Sequence, residues 1–471
     1  MKNRGKFLTL SLLILLVPLI IGVTYPFTES EPQLSEEDRA VAETTQTQTD
    51  SMTSISFLPS VHIQTIGDEL PFQERTLRIE STFIFENMGE FSTLNPLTGQ
   101  IRGRGNSTWV QLPDKRPLRL HFDEAQQLFT NGTIATDWIL LADHGDRSLL
   151  RNYSALHLAR QLDGLNWTPD ARSIHLYVND EYQGVYLLTD ERTFVPTLRL
   201  TADEDPTISE YFFEMEWRAH LDGEEGIDFV RVNSHPDGIV GDSTAEAGFN
   251  RDYLYEIIYP ATPVLTDAHM IYLQNFLTEI GELIRFGDFE AISERVDLTS
   301  LIDFYLVQEL YKNMDVGFAS VFLQIRGQGD ERRLYHGPVW DFDISAGNAY
   351  WMGIENQTPL GGLYVAQRHY WYWYLLQHPE FVELVNTRWH EIIRPAAVAT
   401  IQHIEIISDI YEGEFERNFV RHAILGIDRW PSPTHIDEIQ TFRGQVTYLT
   451  DFLQMRVTHL DEIWGIYRPM W

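Results

Sequence analysis

The dominant period of the apolar pattern changes about midway along this chain, and that change limits the possible folds more than any other feature. Up to about residue 260 the pattern belongs to strands: Leu77-Arg78-Ile79-Glu80, Leu118-Arg119-Leu120-His121-Phe122 and Tyr211-Phe212-Phe213-Glu214-Met215-Glu216 alternate sides. Beyond it helical spacing dominates, over residues 268–286, 298–312, 379–394, 398–411 and 434–464. A strand-rich N-terminal half followed by a helical C-terminal half predicts an α+β fold with two lobes around one cleft. Within the helical half, an alternating strand pair follows Asp315 and is closed by Trp340-Asp341-Phe342-Asp343. No internal repeat is visible.

The 471 residues are ample for a large core, and 43% hydrophobic content with 12 Trp describes a folded protein. A net charge of −34 argues against nucleic-acid binding, because the phosphate backbone would be repelled. The absence of cysteine excludes disulfides, thiolate zinc sites and cysteine nucleophiles. Lys2, Arg4 and Lys6 precede an apolar run over residues 7–23, so residues 1–24 read as a signal peptide or signal anchor. The positive-inside rule then places the remainder outside the cytoplasm, either anchored in the membrane by that segment or secreted. Residues 25–54 are acidic and polar and read as a disordered linker. The folded region is expected over 55–471, with a first lobe over roughly 55–218 and a second over roughly 264–471.

Cations are scarce, and several cluster in one place. Arg102, Arg104, Lys115, Arg116 and Arg119 surround Gly103-x-Gly105, where two glycines allow the backbone a close approach to a ligand. The spacing is neither a Walker loop nor a dinucleotide fingerprint, and a plain hairpin turn is the competing reading. Arg119 and His121 should share one strand face. Arg147 and Arg151 lie at the start of a helix expected over 149–162. Cations there oppose the helix dipole and invite either an anionic ligand or ion pairs with Asp143 or Asp146. Residues 173–188 read as a scaffolding hairpin, and Glu214 and Glu216 share a face that points to a cleft or to solvent.

The acids form the complementary set. Asp341 and Asp343 are two apart, and Trp340, Phe342 and Ile344 alternate with them, so an extended segment would present both carboxylates on one face. Hard oxygen ligands without Cys or paired His favour Mg²⁺, Mn²⁺ or Ca²⁺ over zinc. Asp315 leaves the C-terminal end of the helix over 298–312, where an acid is disfavoured and needs a cation, and Asn313 fits a C-cap.

Four segments together resemble the spore-coat protein H (CotH) kinase family. They are Arg102-Gly-Arg-Gly-Asn-Ser-Thr-Trp109 with Lys115-Arg-Pro-Leu-Arg119, residues 138–160 with their Asp146-Arg-Ser-Leu-Leu-Arg-Asn152 core, the hairpin 177–188, and Glu309-Leu-Tyr-Lys-Asn-Met-Asp315 through Trp340-Asp-Phe-Asp343. Residues 373–389 also fit. The resemblance implies a two-lobed atypical protein-kinase-like fold that transfers the γ-phosphate of ATP to Ser or Thr of an envelope or surface protein. It implies Asp315 as the catalytic acceptor of the hydroxyl proton, Asp341 as principal ligand of Mg²⁺ or Mn²⁺, and Asp343 as a second acid at the metal. Lys115 and Arg119 would face the phosphates, joined by Arg104 and Arg151. The sequence departs from the family pattern at Ser320, where a metal-binding Asn is expected five residues after the catalytic Asp. Two other readings compete: a noncatalytic adhesion or scaffold protein of kinase-like fold with bound Ca²⁺, and a nucleotide-sugar transferase using Asp-x-Asp with Mn²⁺. Hydrolase readings find no Gly-x-Ser-x-Gly and no His-Glu-x-x-His. The aromatic run over 370–374 is expected to pack as a core helix.

Overall fold

A computed structural model describes residues 57–466, apart from 68, 131–132, 192–197, 217–228, 233–252 and 351–357. The expected signal segment and linker lie outside the described residues. Among the described residues no helix is long and apolar enough to cross a membrane.

The alternating strands of the first half close on themselves. β1 (Ser60–Thr65), β2 (Ile79–Glu86), β3 (Leu97–Gly103), β4 (Leu118–Gln126), β5 (Ala135–Leu141), β6 (Ala171–Val178) and β7 (Glu181–Asp190) form a barrel in the order β1-β2-β3-β4-β5-β7-β6. Parallel pairing of β1 with β6, Val61 opposite Leu176, closes it; every other pair is antiparallel. Period-two alternation explains its core: Leu118, Leu120 and Phe122 of β4 point inward to meet Val61, Phe83, Trp138, Leu140, Ile174 and Leu188. The β6–β7 turn carries Asn179 and Asp180 at φ 50° and 64°, the left-handed pair a two-residue hairpin needs. The glycine-rich stretch does not form a plain hairpin. A short helix α1 (Ser107–Gln111) separates β3 from β4, and Gly103 lies so close to the Trp109 ring that a Cβ would meet it at 2.2 Å.

A second sheet, β12-β11-β8-β10-β9, joins the halves: β8 (Tyr211–Met215), β9 (Phe229–Val232) and β10 (Tyr253–Tyr259) precede the helices, whereas β11 (Val321–Arg326) and β12 (Arg333–His336) interrupt them. β8 lies between β10 and β11, so the chain on either side of residue 218 shares one sheet. One face of this sheet, with Phe212 and Phe322, meets Ile139 and Leu187 on the outside of the barrel together with Trp340. The other face, with Phe213, Met215, Leu323 and Ile325, joins the helical core.

The helices are α2 (Arg151–Ala159), α3 (Asp267–Phe286), α4 (Phe289–Arg295), α5 (Leu298–Tyr311), α6 (Tyr370–Leu375), α7 (Pro379–Arg388), α8 (Arg394–Ile410), α9 (Glu412–Arg421), α10 (Thr434–Asp437) and α11 (Phe442–Ile466). α5 is apolar nearly all round and correspondingly buried along its length, so it is the axis of the helical half. The observed mixture of a strand-rich first half and a helical second half is the expected α+β division. Two boundaries differ from expectation. The predicted break before residue 398 is instead a π turn, Trp389–Ile393, which leads into α8 with Pro395 in the first turn, where its missing N–H costs no hydrogen bond. The predicted helix over 434–464 is two helices, α10 and α11. The aromatic run forms α6 as expected, with Tyr370, Trp371 and Tyr372 buried.

Candidate functional site

α5 ends where Lys312 adopts φ 46° and its ammonium donates to Leu360 O at 2.9 Å. Lys312 therefore provides the left-handed helix end expected of Asn313. Asn313 instead opens the next turn: its Oδ1 accepts from the Asp315 N–H at 3.2 Å, setting Asp315 on a one-turn 3₁₀ segment, Met314–Gly317. The Asn313 Nδ2 donates to Asp341 O at 3.1 Å. One carboxamide thus holds Asp315 against the Asp341 segment, and the Met314 N–H donates to Ile344 O at 3.3 Å beside it.

The Trp340–Ile344 segment is not extended. Asp341 takes φ 66°, so Trp340 packs toward the barrel while Phe342 and Ile344 enter the helical core. The two carboxylates are therefore not presented by strand alternation as the sequence suggested. Ser320, also left-handed at φ 54°, donates its hydroxyl to Asp341 Oδ2 at 3.2 Å. Asp343 is 6% exposed, and among the described residues no hydrogen bond reaches its carboxylate; only its backbone oxygen is used, by Asn348 Nδ2 at 2.8 Å. Burial, followed by the fields of Asp341, Asp143, Asp315 and Asp146, pushes its pKa well above the ordinary carboxylate range. Asp341, Asp143, Asp315 and Asp146 thus lie near enough for their charge to act on Asp343.

Two of those acids, Asp143 and Asp146, were not singled out as site residues by sequence reasoning. They lie in the loop between β5 and α2. Asp146 is fully satisfied: Ser148 N–H and Oγ donate to Oδ1, Arg151 N–H donates to Oδ2, and the Arg151 guanidinium pairs with Oδ1 at 2.5 Å. The carboxylate of Asp143, a residue at φ 46°, accepts among the described residues from Asn152 Nδ2 alone, at 2.8 Å. Burial first, then Asp146, raises its pKa to about 7. The signal that could have found this loop is its density of short polar residues between an apolar strand and an apolar helix.

The cations sort less evenly. Lys115 is buried on the acids' side of the barrel. Its Nζ donates to Ala142 O at 2.7 Å and Val185 O at 2.5 Å and stands 4.8 Å from the Tyr186 ring centroid. Desolvation lowers its pKa to about 7 against the opposing pull of Asp143 and Asp146. Arg104 lies over Trp340, 5.9 Å from the ring centroid, directly before Asp341. Arg119 sits on the outer face of β4 with Asp137 at 3.0 Å and Glu191 at 3.3 Å; His121 shares the face and Asp137, as alternation predicted. Arg151 corrects the expectation of a phosphate-facing group. It is wholly buried, and besides Asp146 it donates to Ser345 O at 3.1 Å and Ala346 O at 3.3 Å, tying α2 to the loop after Asp343. Arg147 likewise takes no anionic ligand: it pairs with Asp437 at 2.7 Å and donates to Ile424 O and Ile427 O. Neighbouring His144 is buried with neither ring nitrogen partnered among the described residues, and burial depresses its pKa far below the usual value, so it is neutral.

Residues 101–460 match the family described as CotH kinase protein, which spans most of the chain. The chain belongs to the CotH kinase family. A search of curated proteins returned no match. Membership in the CotH kinase family suggests a kinase-like function. The family match includes Asp315, Ser320, Asp341, Asp343, Lys115, Arg104, Arg119 and Arg151.

The donor set fits a hard divalent cation in one specific respect. A carboxylate as buried as that of Asp343, with no hydrogen bond and four acids nearby, stays ionised only if a positive charge compensates it. Among the described residues no three acidic or imidazole groups are close enough to grip an ion by themselves.

Proposed function

We propose that this CotH-family protein is a metal-dependent kinase that transfers the γ-phosphate of ATP to a Ser or Thr hydroxyl of an envelope or surface protein outside the cytoplasm. The observation that carries this reading is the Asn313 bridge, which sets Asp315 beside Asp341 and the uncompensated Asp343 carboxylate. Asp341 and Asp343 would hold Mg²⁺ or Mn²⁺, and the bound ion would neutralise charge on the phosphate oxygens. Asp315, on its own short turn and not buried, would accept the hydroxyl proton as the acceptor oxygen bonds to phosphorus and the bond to the ADP oxygen breaks. Lys115 would meet the triphosphate from the barrel by turning from Ala142 O and Val185 O, and Arg104, over Trp340, would meet it at the edge of the same site. Arg119 reaches the nucleotide only by leaving Asp137 and Glu191.

A second reading has one observation in its favour. The Ser320 hydroxyl donates to Asp341, so a residue expected to ligate a metal here occupies a ligand oxygen instead. A noncatalytic surface protein that retains the fold would tolerate that arrangement. Incubation with γ-labelled ATP and Mg²⁺ or Mn²⁺ decides between the two. The kinase reading expects label on the protein itself or on a Ser/Thr-rich acceptor, lost in Asp341→Ala and Asp315→Asn. Equal labelling of the wild type and Asp341→Ala, or none from any of them, overturns it.

A further inference from the structure

Where α9 packs on β7, at one end of the barrel, we propose a phosphate-binding site: His144, Asn418 and Arg429, with Lys115 beside them, hold a phosphate group, free or carried by a nucleotide. The inference does not rest on the kinase reading. β5 and β7 pair as far as Leu141 with Leu187, and beyond that point the chain enters the loop that carries His144. Lys115 bridges the two strand ends, donating to Ala142 O at 2.7 Å and Val185 O at 2.5 Å. Asn418 of α9 meets the same residue of β7, its Oδ1 accepting the Val185 N–H at 3.1 Å. Gly184 admits it, since a Cβ there would lie 2.6 Å from Asn418 Oδ1 and 3.2 Å from the His422 ring. His422, directly after α9, donates its Nε2–H to Gln183 O at 2.9 Å, and the His144 ring stands against it with centroids 5.1 Å apart. A lysine, an amide and two imidazoles thus meet around one short stretch of β7.

The polar atoms left over there point to a ligand. His144 is 2% exposed and Asn418 0%, yet neither ring nitrogen of His144, nor Asn418 Nδ2, nor Arg429 Nε has a hydrogen-bond partner among the described residues. Groups buried in that state are costly unless something meets them. Three of the four atoms carry a hydrogen, because a neutral imidazole has one N–H, so they call for an acceptor. The surrounding charge decides what kind. Burial first, then Lys115, Arg429, His422 and Arg147, disfavour a proton on the His144 ring. A field that repels a proton attracts an anion, and a water molecule would leave it uncompensated. Arg429 is held at the edge by Asp114, 2.9 Å from its Nη2, which leaves Nε for the ligand. A phosphate offers oxygens on several sides, enough for donors that arrive from the barrel, from α9 and from the segment after it.

The test is thermal unfolding of the nucleotide-free full-length protein in increasing inorganic phosphate, with sodium chloride holding the ionic strength constant. A saturable rise in the unfolding temperature is expected. His144→Phe keeps an aromatic ring against His422 and removes both nitrogens, so the fold should be retained, which circular dichroism checks. Half-saturation should then need about 10-fold more phosphate, the loss of one hydrogen bond to a charged group. Asn418→Asp keeps the oxygen that accepts the Val185 N–H, replaces the donor by a negative oxygen and should abolish the response. A non-hydrolysable ATP analogue identifies the source: competition with phosphate assigns the group to a nucleotide, and additive shifts assign it to free phosphate. No saturable response from the wild type, or an equal response from the wild type and both variants, overturns the site, and neither result bears on the kinase reading.

Discussion

A single carboxamide, that of Asn313, joins the turn carrying Asp315 to the backbone of Asp341, and it is 1% exposed. Asn313→Ala removes both hydrogen bonds, which reach the half-buried Asp341 carbonyl and Asp315 N–H. The expected cost is about 1–3 kcal/mol in urea unfolding, with a larger loss of phosphate transfer than stability alone explains. Loss of stability with normal transfer by the folded fraction would show that the bridge is only structural. A second residue-scale pair lies deeper. Glu309 and Arg456 are both fully buried and paired, and Glu309 also accepts the N–H groups of Tyr364 and Val365. Arg456→Met strands the carboxylate and should destabilise by about 3–5 kcal/mol, read from the same unfolding curves. Neither role was legible. Asn313 reads equally well as a helix cap, and nothing local in the sequence marks a partner 147 residues away. The acids Asp315, Asp341 and Asp343 were legible because each breaks an apolar pattern. Arg151 was misread because charge in a sequence does not reveal that a guanidinium is enclosed by carbonyls.

At the scale of elements, α2 and α8 meet through stacked histidines. The His157 and His403 rings are 4.2 Å apart, with Tyr153 Oη 2.8 Å from His403 Nε2. Burial lowers His157 to about 3 and His403 to about 4, below the ordinary 6.5. His336 and His369 in the helical core are lowered to about 3 by the same cause. The unfolded chain therefore binds more protons than the folded one between these values and 6.5. Stability is fully present above pH 6.5 and falls as pH drops toward 4, by up to about 1.4 kcal/mol per pH unit for each histidine. Chemical unfolding measured from pH 7.5 to 4.5 should show that decline, and a shallower one in His403→Gln. A flat profile would contradict the burial of these rings. Strand alternation and the Asn179-Asp180 turn were readable because they depend on neighbours. Barrel closure was not, since pairing β1 with β6 joins Val61 to Leu176 and no local pattern records that distance.

Across the whole molecule, one sheet draws strands from before the helical half and from within it, and the acidic segment 341–343 lies at its junction with the barrel. The division into strand-rich and helical halves could be read from periodicity. The interleaving of β8 between β10 and β11 could not, because it is settled by which faces find apolar partners. The consequence is a site whose acids come from both halves, with Lys115 held against the barrel's own carbonyls. Calorimetric titration of ATP into the full-length protein, with and without Mn²⁺, tests this convergence most directly. One binding event per chain that requires Mn²⁺ and disappears in Asp341→Ala is the predicted result. Metal-independent binding, or undiminished binding by Asp341→Ala, would contradict it.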